Sequence, residues 1–161
     1  MSALTSELRQ APVPAGGVRL YWLGQAGFAF RTAEGRRVLL DPYLSDACER
    51  LHGFKRLSLP ALLPEAVEAD WVVLTHEHTD HLDPDAIPVI ARNNPACRFA
   101  APAGCMPGLA SAGVASARCV LLEANRRHDL GDLVVHSVPA ALVRPGSTPS
   151  APKPLDCAVL S

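Results

Sequence analysis

In the run Thr75-His-Glu-His-Thr-Asp-His81, three imidazoles and a carboxylate crowd into one short stretch of chain. These are the side chains that hold first-row metal ions. On an extended segment, residues two apart project to the same side, so His76 and His78 can grip one cation at Zn–N distances of about 2.0–2.1 Å. Asp80 and His81 lie where the chain turns away, placed to serve a second, adjacent cation. Two metals about 3.5–4 Å apart can share a bridging hydroxide as nucleophile. A bound cation draws the pKa of water down toward about 7, which makes hydroxide available without a strong protein base. Imidazole and carboxylate suit zinc, manganese and iron alike, so the ligand types leave the metal open.

The motif needs a frame. Trp71-Val-Val-Leu-Thr75 reads as a short, fully apolar strand buried on both faces, and it delivers the histidines at its C-terminal end. On the far side, Asp83 is placed as an N-cap and Pro84 as the first helical residue, with Ala86, Ile87, Ile90 and Ala91 forming an apolar stripe. Upstream, Val18–Leu23, Phe28–Phe30 and Arg37–Leu40 alternate in the strand manner and are expected to pair as hairpins, closed by Asp41-Pro42. An irregular stretch then runs to Pro64. Downstream, strands are expected at Arg98–Ala101, Arg118–Leu122 and Leu133–Val138, with a short helix over Gly104–Ala112. His52 and His128 read as exposed turn residues, and His136 as a core or edge histidine.

Composition narrows the partners. The chain has 161 residues, a formal net charge of −1 and 48% hydrophobic residues, which fits one globular domain with ample core and argues against a nucleic-acid binder. Apolar runs such as Val72–Leu74 fall far below the roughly 18 residues needed to cross a bilayer. The N-terminus lacks the basic and apolar regions of a secretory signal, so a cytoplasmic location is expected, with no membrane partner. The five cysteines include no C-x-x-C pair and read as buried thiols. Residues 1–17 read as a flexible leader, 18–140 as the folded part, and 141–161 as a Pro- and Ser-rich tail that does not continue the core.

The histidine motif resembles the signature of the metallo-β-lactamase superfamily. Trp22-Leu-Gly-Gln-Ala-Gly-Phe28, Leu40-Asp-Pro-Tyr-Leu-Ser-Asp46 and His81-Leu-Asp-Pro84 resemble, more particularly, its L-ascorbate-6-phosphate lactonase branch, over about residues 18–140. The resemblance implies an α/β (α+β) αββα sandwich, of which this chain carries the N-terminal half. It implies that His76 and His78 bind one metal and that Asp80 and His81 bind another, with Asp80 also orienting the attacking water. The cofactor would be a divalent metal, Zn or Mn, with up to two ions. Asp41 matches the superfamily's first acidic motif and would support the site; an Asp before Pro is equally a turn residue. Gln25 and Tyr43 are candidate pocket residues, each with a structural alternative as a loop amide or a packed aromatic.

The implied reaction is hydrolysis of a lactone or ester of a small molecule by metal-bound hydroxide. A catalytically inactive or self-associating half-domain and a small-molecule phosphodiesterase stand as alternatives, and homo-oligomerisation is left open. The family places a third histidine after a Val-Pro-Ala segment; Val138-Pro-Ala-Ala141 matches, but Leu142 follows. Two ligands per metal fall short of the usual three, and a truncated or frame-shifted form of a longer enzyme is therefore expected.

Overall fold

The computed structural model describes residues 3–131, 133–141 and 154–160. Its centre is a six-stranded sheet in the order β1-β2-β3-β4-β5-β6. The strands are β1 (Val18–Gly24), β2 (Gly27–Thr32), β3 (Arg37–Leu40), β4 (Trp71–Val73), β5 (Arg98–Ala101) and β6 (Cys119–Leu121). The first three pair antiparallel through tight turns, and β3 to β6 run parallel. A second, antiparallel sheet holds β7 (Arg127–Asp129), β8 (Val134–Ala141) and β9 (Pro154–Leu160).

Alternation along the strands sends side chains into two cores. Leu39, Val72 and Phe99 face the helices, where they meet Leu8 of α1 (Ala3–Gln10), Ile87 and Ile90 of α3 (Ala86–Asn93), and Leu109 of α4 (Met106–Ser111). Val38, Trp71, Val73 and Ala100 face the other way and pack with Leu122, Leu130 and Val135 of the second sheet's side. The result is a helix–sheet–sheet stack, the half-sandwich expected from the sequence. Trp71, Val72 and Val73 are all buried because β4 has packing on both faces.

Several expectations change. Within the stretch read as a flexible leader, Ala3–Gln10 is helical, and its Leu8 is buried in the helix-side core. Leu4 and Leu8, one turn apart, pack on that core, and polar contacts add to the hold: Arg31 donates to the Leu8 carbonyl and Arg9 pairs with Glu68. Within the stretch read as a tail outside the core, residues 154–160 form β9 against β8 in continuous register from Val135↔Leu160 to Ala141↔Pro154. Short strands amid prolines carry little period for a sequence reading to detect. Leu142, and with it the position of the expected third histidine, lies outside the described residues.

The helix after the motif starts at Ala86, later than Pro84. The bond expected of Asp83 nevertheless forms, because its Oδ1 accepts the amides of Asp85 (3.0 Å) and Ala86 (3.1 Å). Pro88 sits in the first turn, where a missing amide costs nothing. At the other end Arg118 stacks on Phe99 and donates to the carbonyls of Ala91, Asn94 and Cys97, closing the groups that α3 and the following turn leave open. Within the irregular stretch a further helix, α2 (Ala47–His52), ends at Gly53 in the left-handed conformation. Among the described residues no helix is long and apolar enough to cross a membrane.

Candidate metal centre

The histidines emerge where β3 and β4 end side by side, at the carboxyl edge of the parallel strands where α/β sheets bind ligands. β3 runs into Asp41, β4 into Thr75 and His76. Asp41 adopts a left-handed backbone (φ 45°), an uncommon state for a residue with a Cβ. Its amide is held by the Val73 carbonyl at 3.0 Å, and its own carbonyl accepts the Tyr43 amide at 2.8 Å. Gly27 makes room, since a Cβ there would lie 2.9 Å from the Asp41 carbonyl oxygen.

That geometry aims the Asp41 carboxylate, only 2% exposed, across the base of the motif. Oδ1 accepts the Thr75 amide at 2.8 Å, and Oδ2 accepts both the Thr75 hydroxyl at 2.7 Å and His81 Nδ1 at 2.8 Å. The Thr75 hydroxyl has one proton, given to Asp41, so towards His76 Nδ1, 3.0 Å away, it can only accept. Both imidazoles therefore carry a proton on Nδ1, and in the neutral form each presents an unprotonated Nε2 outward. This carboxylate-anchored tautomer is the one metal-binding histidines use. Asp41 is thus an orienting group, and Thr75, quoted in the motif but given no role from sequence, is its relay.

The three imidazoles gather. The His76 ring lies 3.8 Å from that of His81 and 4.7 Å, edge-on, from that of His78. Asp80 is half-buried, with Oδ2 3.7 Å from His81 Nε2. Desolvation lowers the His76 pKa, helped by the other two imidazoles, which favours the neutral ligand form. Burial acts the same way on His81, but the hydrogen bond and charge of Asp41, with Asp80 behind them, outweigh it and raise its pKa.

Donor types and tautomers therefore suit a divalent cation. The number of donors does not close the site: among the described residues no group of three or more His, Cys, Asp and Glu side chains is arranged to hold a metal ion. A three-ligand shell would have to draw on donors from outside the described residues. His136 is no substitute, since it stands exposed on β8 opposite Arg127 and away from the motif's cleft.

That cleft, about 430 Å³, is lined by Gln25, Cys48, His52, Phe54, Glu77, His78, Thr79 and Asp80. Gln25 is placed at it as a pocket residue. Tyr43 is not: it is fully buried, packed with Ala47 and Cys48, and its hydroxyl accepts the Cys48 amide at 3.0 Å. Burial pushes its pKa up to about 12. Sequence reasoning missed His52, whose Nε2 lies 3.0 Å from Thr79 Oγ1. A histidine at the end of an undetected helix has no local pattern to reveal it.

Asp83 was also undervalued. Its carboxylate is completely buried, and besides capping α3 it accepts the amides of Leu44 and Ser45 and the Ser45 hydroxyl at 2.8–2.9 Å. It ties the segment after Asp41 to the segment after His81, so the two halves of the site share one buried acceptor.

A mixed sheet between helices and a second antiparallel sheet, with imidazoles and acids collected at the strand ends, defines the metallo-β-lactamase class of fold. The model of the beta-lactamase superfamily domain matches residues 19–152, and the chain belongs to that family. An uncharacterized protein of Mycobacterium tuberculosis is 34% identical over 143 residues, covering 81% of this chain and 38% of the relative. A protein of Escherichia coli named "Probable L-ascorbate-6-phosphate lactonase UlaG" is 26% identical over 86% of this chain and 46% of its own length. The chain thus spans less than half the length of these relatives. Among solved structures, Igni18, a metallo hydrolase of the archaeon Ignicoccus hospitalis, superposes with a TM-score of 0.60 at 20% identity, over 89% of this chain and 55% of the other.

Proposed function

We propose that this chain carries the metal-ligating half of a metal-dependent hydrolase that opens lactones or esters of small molecules. The observation that carries the reading is the Asp41–Thr75 relay, which holds His76 and His81 in one tautomer with both Nε2 atoms free. A buried carboxylate serves a merely structural histidine no better by leaving its second nitrogen unengaged. Family membership supports the hydrolase class, and the Escherichia coli relative's name supports the lactone choice, as an analogy of fold.

His76, His78, Asp80 and His81, together with donors from outside the described residues, would hold the metal, zinc or manganese, at one or two positions. Bound there, a divalent cation supplies an acidified water and charge stabilisation for a developing oxyanion. Asp41 keeps His81 and, through Thr75, His76 from rotating, so no reorganisation is needed when substrate binds. Asp80, half-buried and lining the cleft, would also orient the attacking water. Glu77 and Asp80 contribute two carboxylates to the described lining and no Lys or Arg joins them, which favours a neutral acyl substrate over a phosphodiester.

The short ligand shell favours a second reading, an inactive half-domain that associates with itself or a partner. Val18, Leu20 and Trp22 expose one face of β1 at 54–63%, as an unpaired half of a sandwich would. Four thiols with described side chains are unpaired, which supports a reducing, cytoplasmic location.

Elemental analysis of dialysed protein, after loading with Zn²⁺ or Mn²⁺, separates the readings. The hydrolase reading expects at least one equivalent of metal, lost in His76→Ala, together with turnover of γ-butyrolactone. A folded protein that retains no metal supports the inactive half-domain.

A further inference from the structure

The turn between β1 and β2 reads Gly24-Gln25-Ala26-Gly27, and Gln25 has φ 49°. The left-handed region costs an L-residue roughly 1–2 kcal/mol and is ordinarily left to glycine, with asparagine and aspartate next. Glycines stand on both flanks, yet the strained position between them carries a glutamine. Something holds the backbone there: Trp22 Nε1 donates to the Gln25 carbonyl at 2.8 Å. The bond comes from a tryptophan that is itself 63% exposed on the edge strand.

The side chain is spent on nothing inside the protein. Among the described residues the exposed Gln25 carboxamide makes no hydrogen bond, whereas its neighbours at the cleft, His52 and Thr79, bond each other at 3.0 Å. Gln25 lines the cleft with His78 and Asp80, so a free amide, two donors and one acceptor, faces the space beside the motif. Strain in the backbone, a dedicated support for it and an unengaged polar group at a cleft are independent observations. They converge on a substrate contact, since strain persists where a conformation is over-determined and serves a site.

We infer that Gln25 is the substrate-orienting residue of this cleft, donating its amide N–H to an oxygen of a neutral acyl group. The inference rests on the hydrolase reading and adds which residue grips the ligand and by what bond. The donated bond forms and breaks with no change in covalent structure. An ester or lactone carbonyl is the fitting acceptor, because the same cleft is lined by the carboxylates of Glu77 and Asp80, which repel an anion and leave a neutral oxygen free to accept.

The chain contains only two glutamines, Gln10 and Gln25, so their side-chain amides are separable in a ¹H–¹⁵N spectrum once Gln25→Gly removes one pair. The test titrates the labelled, Zn²⁺-loaded protein with γ-butyrolactone and with its ring-opened hydroxy acid. Saturable movement of the Gln25 amide, with Gln10 still, is the expected result. In Gln25→Gly, which the turn accommodates with less strain, the melting temperature should rise while lactone affinity, followed at His78, falls about tenfold. Movement of the His78 and His52 rings with the Gln25 amide unmoved overturns the inference and leaves the hydrolase reading standing. No movement at any cleft residue overturns the acyl reading, and the inference with it. Equal affinity of wild type and Gln25→Gly also overturns it.

Discussion

The two ends of the central parallel strands carry polar networks of opposite character. At the amino end, Arg37 donates to both carboxylate oxygens of Asp70 and to Glu68, and Glu68 also pairs with Arg9 of α1. The Arg37 guanidinium meets acceptors at each of its nitrogens, so this network closes on itself. At the carboxyl end, Asp41 and Thr75 satisfy only the Nδ1 sides of two imidazoles and leave the Nε2 sides open. Both networks pin the chain near the same strands, β3 and β4. A closed network contributes stability; an open one stores coordinating capacity that a ligand can use.

Substitutions can break this contrast, beginning with the largest effect. Asp83→Ala strips a wholly buried acceptor from the amides of Leu44, Ser45, Asp85 and Ala86. Urea unfolding should show a loss of about 3–5 kcal/mol, as when one partner of a buried charge network is removed. A loss no larger than at the amino end would mean the carboxyl end is not built on buried acceptors.

Asp41→Asn comes next. The amide cannot accept from Thr75 and His81 together through one end without turning an NH₂ toward a donor, so a loss of about 2–3 kcal/mol is expected. Metal uptake should fall with it, measured by elemental analysis. Retained uptake would show that the relay does not orient the imidazoles.

Thr75→Val isolates the relay from the carboxylate. It keeps the β-branched shape, removes the acceptor for His76 Nδ1, and should weaken metal binding by roughly ten- to a hundredfold in a competition titration. Stability should move far less, which is the separation that the contrast between open and closed networks requires.

At the amino end, Asp70→Asn should cost about 1 kcal/mol, discounted because the pair is partly exposed. Burial tends to raise the Asp70 pKa, but hydrogen bonds and charge from Arg37 outweigh it and lower it. A carboxylate depressed in the folded state contributes stability that is present above its unfolded pKa, near 3.8, and lost as pH falls through the folded value. Acid titration of wild type against Asp70→Asn should therefore show the difference vanish at low pH; a difference that persists would rule out the ionised pair as its source. Metal uptake should be unchanged.

How much of this was legible beforehand follows from range. The motif Thr75–His81 was readable because its residues are adjacent and its chemistry is local. The apolar runs that became β1 to β6 were readable because alternation is a period-two signal within one strand. Asp41 and His81 are far apart in sequence yet meet at 2.8 Å, and no local period announces that pairing. Tyr43 shows the converse: its place beside a functional motif suggested a pocket, whereas packing against Cys48 buried it. α1 and β9 escaped because each is short and is fixed by contacts with distant segments, α1 through Leu8 in the core and the Arg9–Glu68 pair, β9 through its ladder with β8.

By itself, then, the sequence determined the candidate ligand types, their order along the chain and the strand that carries them, since residue identity and short-range geometry are all those require. The tertiary structure decided which nitrogen His76 and His81 present, which residues line the cleft and that an amide at Gln25 is left free. Those depend on contacts between segments distant in the chain, where one buried carboxylate can set the orientation of two histidines only after β3 and β4 have been laid side by side.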